Sequence, residues 1–296
     1  MAEAAVVARG LSKRFGDVLA VDDLELEVRR NEVFGYLGPN GAGKTTTIRM
    51  LLGFLNPTTG SASVLGSDPR ASELRKRIGY LPADLNIDPR YTGRELIDFF
   101  GSLRGGVEEQ VVSGLLARFD LDPHRRVGEL STGNRRKVGI VQALMNRPEL
   151  LILDEPTSGL DPLLQHEFHQ LVLEEVARGA TVFLSSHTLP EVEALADRVA
   201  ILRSGRLVTV SAIDELRQQA RQRIDLFVAG TPEAASFEAL PEVTAVETHG
   251  DMLRLVIEGS AERVIRAAAP LGVKRVVSHD ENLEDVFLTY YTDEEG

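Results

Sequence analysis

The 296-residue sequence predicts an α/β fold built on a parallel sheet, with a helical insert and a smaller C-terminal α+β domain. Three observations predict it. A compact apolar run, Glu32–Leu37, passes directly into a glycine-rich turn and then into a helical pattern. Two more apolar runs, Leu150–Leu153 and Thr181–Leu184, flank the helix-length segment Leu163–Ala177, which makes a βαβ unit and therefore parallel strands. Beyond about Val210, short alternating runs separated by brief helical patterns take over.

In chain order, Val6-Val7-Ala8 and Val18–Val28 alternate apolar and polar residues and read as paired strands. After the strand Glu32–Leu37 and its turn, Thr45–Leu52 reads as a helix with Ile48, Leu51 and Leu52 on one face. Ile78–Pro82 is a further strand. From Thr92 to Arg147 the pattern is helical: Leu96, Phe99, Phe100 and Leu103 recur at helical spacing, as do Val111, Leu115, Leu116 and Phe119. A third helix there would bury Val138, Val141, Leu144 and Met145. The tail reads as strand (Arg223–Ala229), helix (Pro232–Ala239), strand (Val243–Thr248), strand (Asp251–Ile257), helix (Ala261–Ala269) and strand (Val273–Ser278). That order is the split βαβ of ferredoxin-like domains. The expected boundaries are 1–210 for the first domain, with its helical insert at 92–147, and 211–296 for the second.

Composition limits the chemistry. The hydrophobic fraction of 43% and charged fraction of 26% are those of a soluble globular chain. A formal charge of -12 argues against general nucleic-acid binding, which needs clustered Lys and Arg; the tail alone holds 17 acidic against 8 basic side chains. No cysteine is present, so disulfides, thiol nucleophiles and cysteine zinc sites are excluded. Glu3 and Arg9 spoil a secretory-signal pattern, and no apolar run approaches the roughly 18–20 residues that span a bilayer. Work at a membrane would therefore need a partner to hold the chain there.

The turn is Gly38-Pro39-Asn40-Gly41-Ala42-Gly43-Lys44-Thr45, followed by Thr46, and it fills every fixed position of the phosphate-binding loop G-x-x-x-x-G-K-[ST]. Backbone N–H groups converge on a phosphate only where side chains leave room, hence Gly38, Gly41 and Gly43. Lys44 supplies a compact cation to the β and γ phosphates, and the Thr45 hydroxyl can ligate Mg²⁺, which needs few protein oxygens. The helix N-terminus adds its dipole. A nucleoside triphosphate is the expected ligand.

Four further segments narrow the class. Asp154 and Glu155 end the buried run Leu151-Ile152-Leu153, where one carboxylate can hold Mg²⁺ through water and the next can polarise an attacking water; solvated caps are the plain alternative. Leu130-Ser131-Thr132-Gly133-Asn134-Arg135-Arg136-Lys137 puts Ser and Gly at a helix start, with free N–H groups for an anion. Ser158-Gly159-Leu160-Asp161 and Ser185-Ser186-His187 follow in turn.

In combination and order, these segments resemble the ATP-binding cassette (ABC) family over about residues 4–210. The resemblance implies a P-loop NTPase core of the ABC ATPase type. It also implies a Walker B strand ending in Asp154 and catalytic Glu155, and a degenerate signature with Thr132 and Asn134 replacing Gly and Gln. Asp161 would close a D-loop, and His187 would be the switch histidine that donates to the γ phosphate. Lys44 and Asp154 lie 110 residues apart, room for the family's helical subdomain. Phe15 stands where the family stacks an aromatic ring on adenine, and a core position is its alternative. The remaining five histidines read as surface residues.

The resemblance further implies an ATPase that uses ATP and Mg²⁺. Ser131, Gly133 and Asn134 would complete the site of a second copy, giving a two-fold dimer around two ATP. The partner would be an integral membrane permease that holds the chain at the cytoplasmic face of the cell membrane, through a groove near Ala83–Tyr91 with Tyr91 as a candidate contact. Where the family places its Q-loop glutamine, this chain has Ala83 and then Asp84, so either Asp84 substitutes toward the metal or that contact is absent. The ending Asn282–Tyr291 resembles the drug-exporter (ABC-2) group, and its acidic tail could reinforce the dimer, regulate it or act as a spacer. Ribosomal or DNA-repair ABC ATPases fit less well, with one phosphate loop and no sustained heptads; a non-hydrolytic regulatory subunit is disfavoured by Glu155.

Overall fold

The alternation that opens the chain forms an antiparallel sheet. In the computed structural model, which describes residues 4–219, 221–229 and 234–280, β1 (Ala4–Phe15) pairs with β2 (Val18–Arg29) on one side and β4 (Thr59–Val64) on the other. β1 is longer than the expected Val6–Ala8, and β4 was not expected at all. Its sequence, Thr-Gly-Ser-Ala-Ser-Val, looks like turn material. Yet Gly60, at φ +78°, sits so close to β1 that a Cβ would lie 2.1 Å from the Gly10 carbonyl oxygen. Glycine is there for close approach, not for a turn.

A second sheet carries the apolar runs. Its strands are β3 (Val33–Leu37), β5 (Ile78–Leu81), β6 (Leu150–Asp154), β7 (Thr181–Ser186), β8 (Arg198–Arg203) and β9 (Arg206–Ala212), in the order β5-β6-β7-β3-β8-β9. From β5 through β8 every pairing is parallel, and β3, β6 and β7 are buried along their whole length, as a sheet covered on both faces requires. Strands β8 and β9 extend the sheet past the expected set. One core joins the two sheets around α1 (Lys44–Leu51), with Leu11 and Leu24 from the first, Phe34, Ile152 and Phe183 from the second, and Ile48 and Leu51 from the helix. Burial of each such side chain contributes about 1.5–3 kcal/mol.

After the short α2 (Leu74–Arg77), three helices fill the expected insert: α3 (Gly93–Arg104), α4 (Glu109–Arg118) and α5 (Thr132–Leu144). Thr92 and Glu95 form a capping box that fixes where α3 begins. The buried stripes differ from those expected. Helix α3 buries Leu96 and Ile97 but leaves Phe99 and Leu103 exposed; around α4 the expected Leu115 and Phe119 are buried, joined by Val112 in place of Val111 and Leu116. Helical spacing identifies the helix without saying which apolar stripe meets the core. Helix α5 buries Val138, Val141 and Leu144, and the adjoining Met145 is buried too, as expected. Then come α6 (Pro162–Ala177), α7 (Leu189–Leu195) and α8 (Ile213–Gln219).

The chain divides into two compact units between Val210 and Ser211. In the second, β10 (Arg221–Phe227), α9 (Ala235–Glu238), β11 (Val243–His249), β12 (Met252–Glu258), α10 (Glu262–Ala268) and β13 (Arg275–Asp280) form an antiparallel sheet in the order β11-β12-β10-β13. That is the ferredoxin-like arrangement of a split βαβ. Leu226, Leu253 and Leu255 of the sheet pack with Phe237 and Val264 of the helices. The Pro232–Ala239 helix expected from sequence is described only as Ala235–Glu238, its first two residues lying outside the described set along with the ending Asn282–Tyr291.

Strand β5 lies almost backbone to backbone against α5: a Cβ at Gly79 would stand 2.1 Å from the Ala143 carbonyl oxygen. Gly79→Ala must push strand and helix apart, so we expect a loss of about 1–3 kcal/mol of stability. Thermal unfolding of the variant should show it as a drop of about 2–4 °C per kcal/mol.

Candidate active site

Parallel register brings three strand ends to one edge. Leu37 of β3 is level with Ser186 of β7, and Asp154 of β6 is level with Ser185. Loops leaving the carboxyl ends of parallel strands are where α/β folds bind ligands. The loop 38–43 leaves β3 here, anchored by the Gly38 N–H donating to the Ser186 carbonyl (3.2 Å). Gly43 ends the loop at φ +99°, and a Cβ there would meet the Ala20 carbonyl at 2.4 Å. Gly41, at φ +83°, is left-handed too, and a Cβ on it would meet open space. Asn40 and Gly41 are exposed, Gly38 is buried, and Thr46 is half-buried behind Thr45. Helix α1 is held from below by the buried Tyr36 hydroxyl and the Thr47 hydroxyl, 3.1 Å apart.

Five of the expected side chains meet at this edge. The buried Lys44 ammonium donates to the Gly38 carbonyl (2.6 Å) and lies 3.2 Å from Glu155 Oε1. Glu155 Oε2 is 2.6 Å from His187 Nδ1. Thr45 Oγ1 donates to Asp154 Oδ2 at 2.9 Å, and the Ser185 hydroxyl donates to Oδ1. Asp154 is wholly buried, so its charge is met by these hydroxyls rather than by bulk water. Glu155 adopts φ +49°, a left-handed conformation uncommon outside glycine and asparagine, with its N–H donating to the Ser185 carbonyl (3.1 Å).

The remaining expected residues stand apart from this group. Ser131 caps α5 by accepting from the Asn134 N–H (3.3 Å), and Asp161 caps α6 by accepting from the Leu164 N–H (3.0 Å). Both are exposed, and Gly133 faces Gly159, a Cβ on it lying 3.5 Å from the Gly159 carbonyl. Among the described residues no hydrogen bond joins them to Lys44, Thr45 or Glu155. Phe15 is 46% exposed with the Lys13 ammonium 5.2 Å from its ring centre, which removes the alternative of a core position. Asp84 is exposed and its side chain takes no part in the hydrogen-bonded group. Of the histidines read as surface residues, His169 is half-buried, and burial together with His166 holds its imidazole below the usual value.

Two residues of the site escaped sequence reasoning. Arg136, buried in the second turn of α5, reaches the carbonyls behind Asp154 and Glu155. Burial pushes its guanidinium below the usual value, opposed by Asp154, Glu191 and Glu155. The signal was a cation in register with the buried Gly139, Ile140 and Ala143 of the same helix. Glu191, in the first turn of α7, accepts from the Thr157 hydroxyl (2.7 Å) and the Ser186 hydroxyl (2.5 Å), tying the segment after Glu155 to the segment before His187.

A model of the ABC transporter family matches residues 21–158. Over 97% of both chains, the sequence is 37% identical to the Nod factor export ATP-binding protein I of Rhizobium sp. (strain N33). This chain belongs to the ABC transporter ATP-binding family. The same-named protein of Burkholderia lata is 36% identical over 95% of this chain and 94% of that one. Among solved structures, the ATP-binding subunit of an ABC transporter superposes with a TM-score of 0.68 at 31% identity, covering 72% of this chain and 92% of that chain. A dimeric cassette in a post-hydrolysis state bound to ADP and Pi superposes at 0.64 with 21% identity, covering 70% of this chain and 98% of that chain, a likeness of fold. The ABC subunit described here is thus the ATPase of a transporter, and among its described residues no helix is long and apolar enough to cross a membrane.

In this ABC subunit, burial raises the Glu191 pKa above the ordinary 4.5, the hydrogen bonds from Ser186 and Thr157 oppose the rise, and the nearby Glu155 adds to it. The folded chain therefore holds that proton more tightly than the unfolded chain. Its stabilising contribution is complete below about pH 4.5 and is lost as pH rises through the raised value. Denaturant unfolding should show the stability of the wild type relative to Glu191→Gln falling as pH rises from there toward neutrality.

Proposed function

We propose that this subunit powers export through a separate membrane permease, two copies closing around two ATP molecules and parting after hydrolysis. The observation that carries the chemistry is the convergence of Lys44 and His187 on Glu155, beside the Thr45–Asp154 pair. The export reading is supported by relatives that are named export ATP-binding proteins and match nearly the whole chain.

The loop N–H groups from Asn40 to Thr46 and the Lys44 ammonium would bind the β and γ phosphates, with Gly38, Gly41 and Gly43 allowing the backbone approach. Phe15 would stack on adenine. The hard oxygens of Thr45 and Asp154, 2.9 Å apart at the loop, suit Mg²⁺, which takes one or two protein ligands and keeps most of its water. No cluster of three or more carboxylates and imidazoles stands among the described residues, so an all-protein cage is not the kind of site proposed. Bound there, Mg²⁺ would neutralise phosphate charge and orient the oxygens. Glu155 would polarise the attacking water, and a His187 ring N–H would donate to the γ phosphate. Ser131 and Asp161, exposed on this copy, and the half-buried Gly133 and Asn134 would close the site of the other by two-fold symmetry.

The permease contact would be the apolar groove of about 610 Å³ between the α2–β5 segment and the helical insert, lined by Phe54, Tyr80, Leu85, Phe100, Leu103 and Val138. Phe54 and Leu103 are exposed around it, where an apolar partner helix from the permease would cover them. The Tyr91 suggested by sequence is exposed but does not line this groove, so Phe54, Phe100 and Leu103 take its place. Such docking would hold the chain at the cytoplasmic face of the membrane.

The test is co-purification from gently solubilised source membranes, where a stoichiometric multi-span membrane protein is expected; a chain found alone or on ribosomes would overturn the transport reading. Phe100→Asp with Leu103→Asp should abolish that co-purification while leaving ATP binding intact. Glu155→Gln should lower turnover by about 100-fold or more while retaining ATP, and should elute as a dimer with ATP on size exclusion. A monomer with every nucleotide would exclude the dimer.

A further inference from the structure

Arg136 is 4% exposed, and among the described residues its guanidinium hydrogen-bonds no carboxylate; the hydrogen bonds it makes there are all to main-chain carbonyl oxygens. Nε donates to Pro156 (3.0 Å), one terminal nitrogen to Pro82 (2.5 Å) and Ala83 (2.9 Å), and the other to Asp154 (2.9 Å) and Glu155. A guanidinium has five N–H groups in a planar fork, so each donor has one acceptor. The acceptors fall in two sets, one following β5 and the other following β6, its neighbour in the sheet.

We propose that Arg136 is a positioning residue for hydrolysis, holding the Glu155 main chain in its left-handed conformation and tying it to both α5 and the Ala83 segment. Strained backbone persists only where its surroundings over-determine it. Here the Glu155 N–H is fixed by Ser185 and its carbonyl by Arg136, so the carboxylate direction depends on both. Five residues from the exposed cap Ser131, Arg136 makes α5 a rigid lever between that cap and Glu155. The link to residue 83 uses a carbonyl, which any residue supplies, so alanine serves there without a side-chain contact. The inference rests on the proposed role of Glu155 in polarising water.

The experiment uses the full chain carrying Arg136→Lys, whose single ammonium cannot span both sets of carbonyls. Steady-state turnover should fall by at least about 30-fold, because small misplacements of a catalytic group are costly. KM and the affinity for a non-hydrolysable fluorescent ATP analogue should stay within about 3-fold of wild type, since the loss is confined to the hydrolytic step. In the Glu155→Gln background Arg136→Lys should cause no further loss, because both act through one group. A turnover close to wild type, a parallel loss of analogue binding, or additive losses in the double variant would each overturn the proposal. If Glu155→Gln alone kept full turnover, the role of Glu155 would be the part that failed. Should Arg136→Lys not fold, replacing Asp84 by its α-hydroxy analogue turns the Ala83 carbonyl into a weakly accepting ester with every side chain kept. Turnover should then fall several-fold at unchanged analogue affinity, and unchanged turnover would overturn the link to residue 83.

Discussion

A carboxylate with no exposure to water must be met by donors, and Asp154 is met by two hydroxyls, from Ser185 and Thr45. The rest of the site depends on that constraint. Ser185 lies level with Asp154 because β6 and β7 run parallel in register. Thr45 arrives because the loop after β3 turns tightly enough to start α1 above the strand ends. That turn requires left-handed backbone at Gly41 and Gly43 and a near-contact of Gly43 with the Ala20 carbonyl, so the antiparallel sheet that contains Ala20 also sets the loop. A slip of either sheet would leave a buried charge without partners, a loss of several kcal/mol.

Glu155 follows immediately and is handled differently. Its side chain is partly exposed and shared between Lys44 and His187, while its backbone is in an unfavourable region. Two further buried groups, Arg136 and Glu191, brace the segments on either side. Arg136 takes the carbonyls of residues 154–156, and Glu191 takes the hydroxyl of Thr157 and, across the gap, that of Ser186. Both are ionisable groups in a dry interior, the arrangement found where geometry matters more than stability.

What could be read from sequence, and what could not, follows from the range of the interactions. Lys44 and Thr45 were legible from the glycine-rich pattern that links a strand to a helix, and Asp154, Glu155 and His187 because each closely follows a short apolar run; strand ends in a parallel sheet are neighbours whatever lies between them. The split βαβ of the tail was legible from alternation alone. Arg136 was not, because its acceptors are backbone carbonyls, which leave no trace in residue type. Glu191 reads as an ordinary first-turn acid, and only the fold shows that Ser186 and Thr157 point at it. Strand β4 was hidden because glycine, which serves close packing against Gly10 there, is also what turns are made of. In α3, Phe99 and Leu103 share helical spacing with core residues, yet they face outward, Leu103 at the groove.

Helix α5 unites these features. Its first turn presents Ser131, Gly133 and Asn134 at the surface, with N–H groups that the single cap at Ser131 does not exhaust. One turn further in, the same helix carries a buried cation bound to the main chain around Glu155. Its far end is packed so tightly on β5 that only glycine fits at residue 79, where a Cβ would meet the Ala143 carbonyl. A helix clamped at its middle by Arg136 and packed against β5 at its far end cannot shift at its tip alone. Whatever engages the exposed first turn must therefore move the Glu155 backbone with it, or be resisted by the same contacts that hold Glu155 in place.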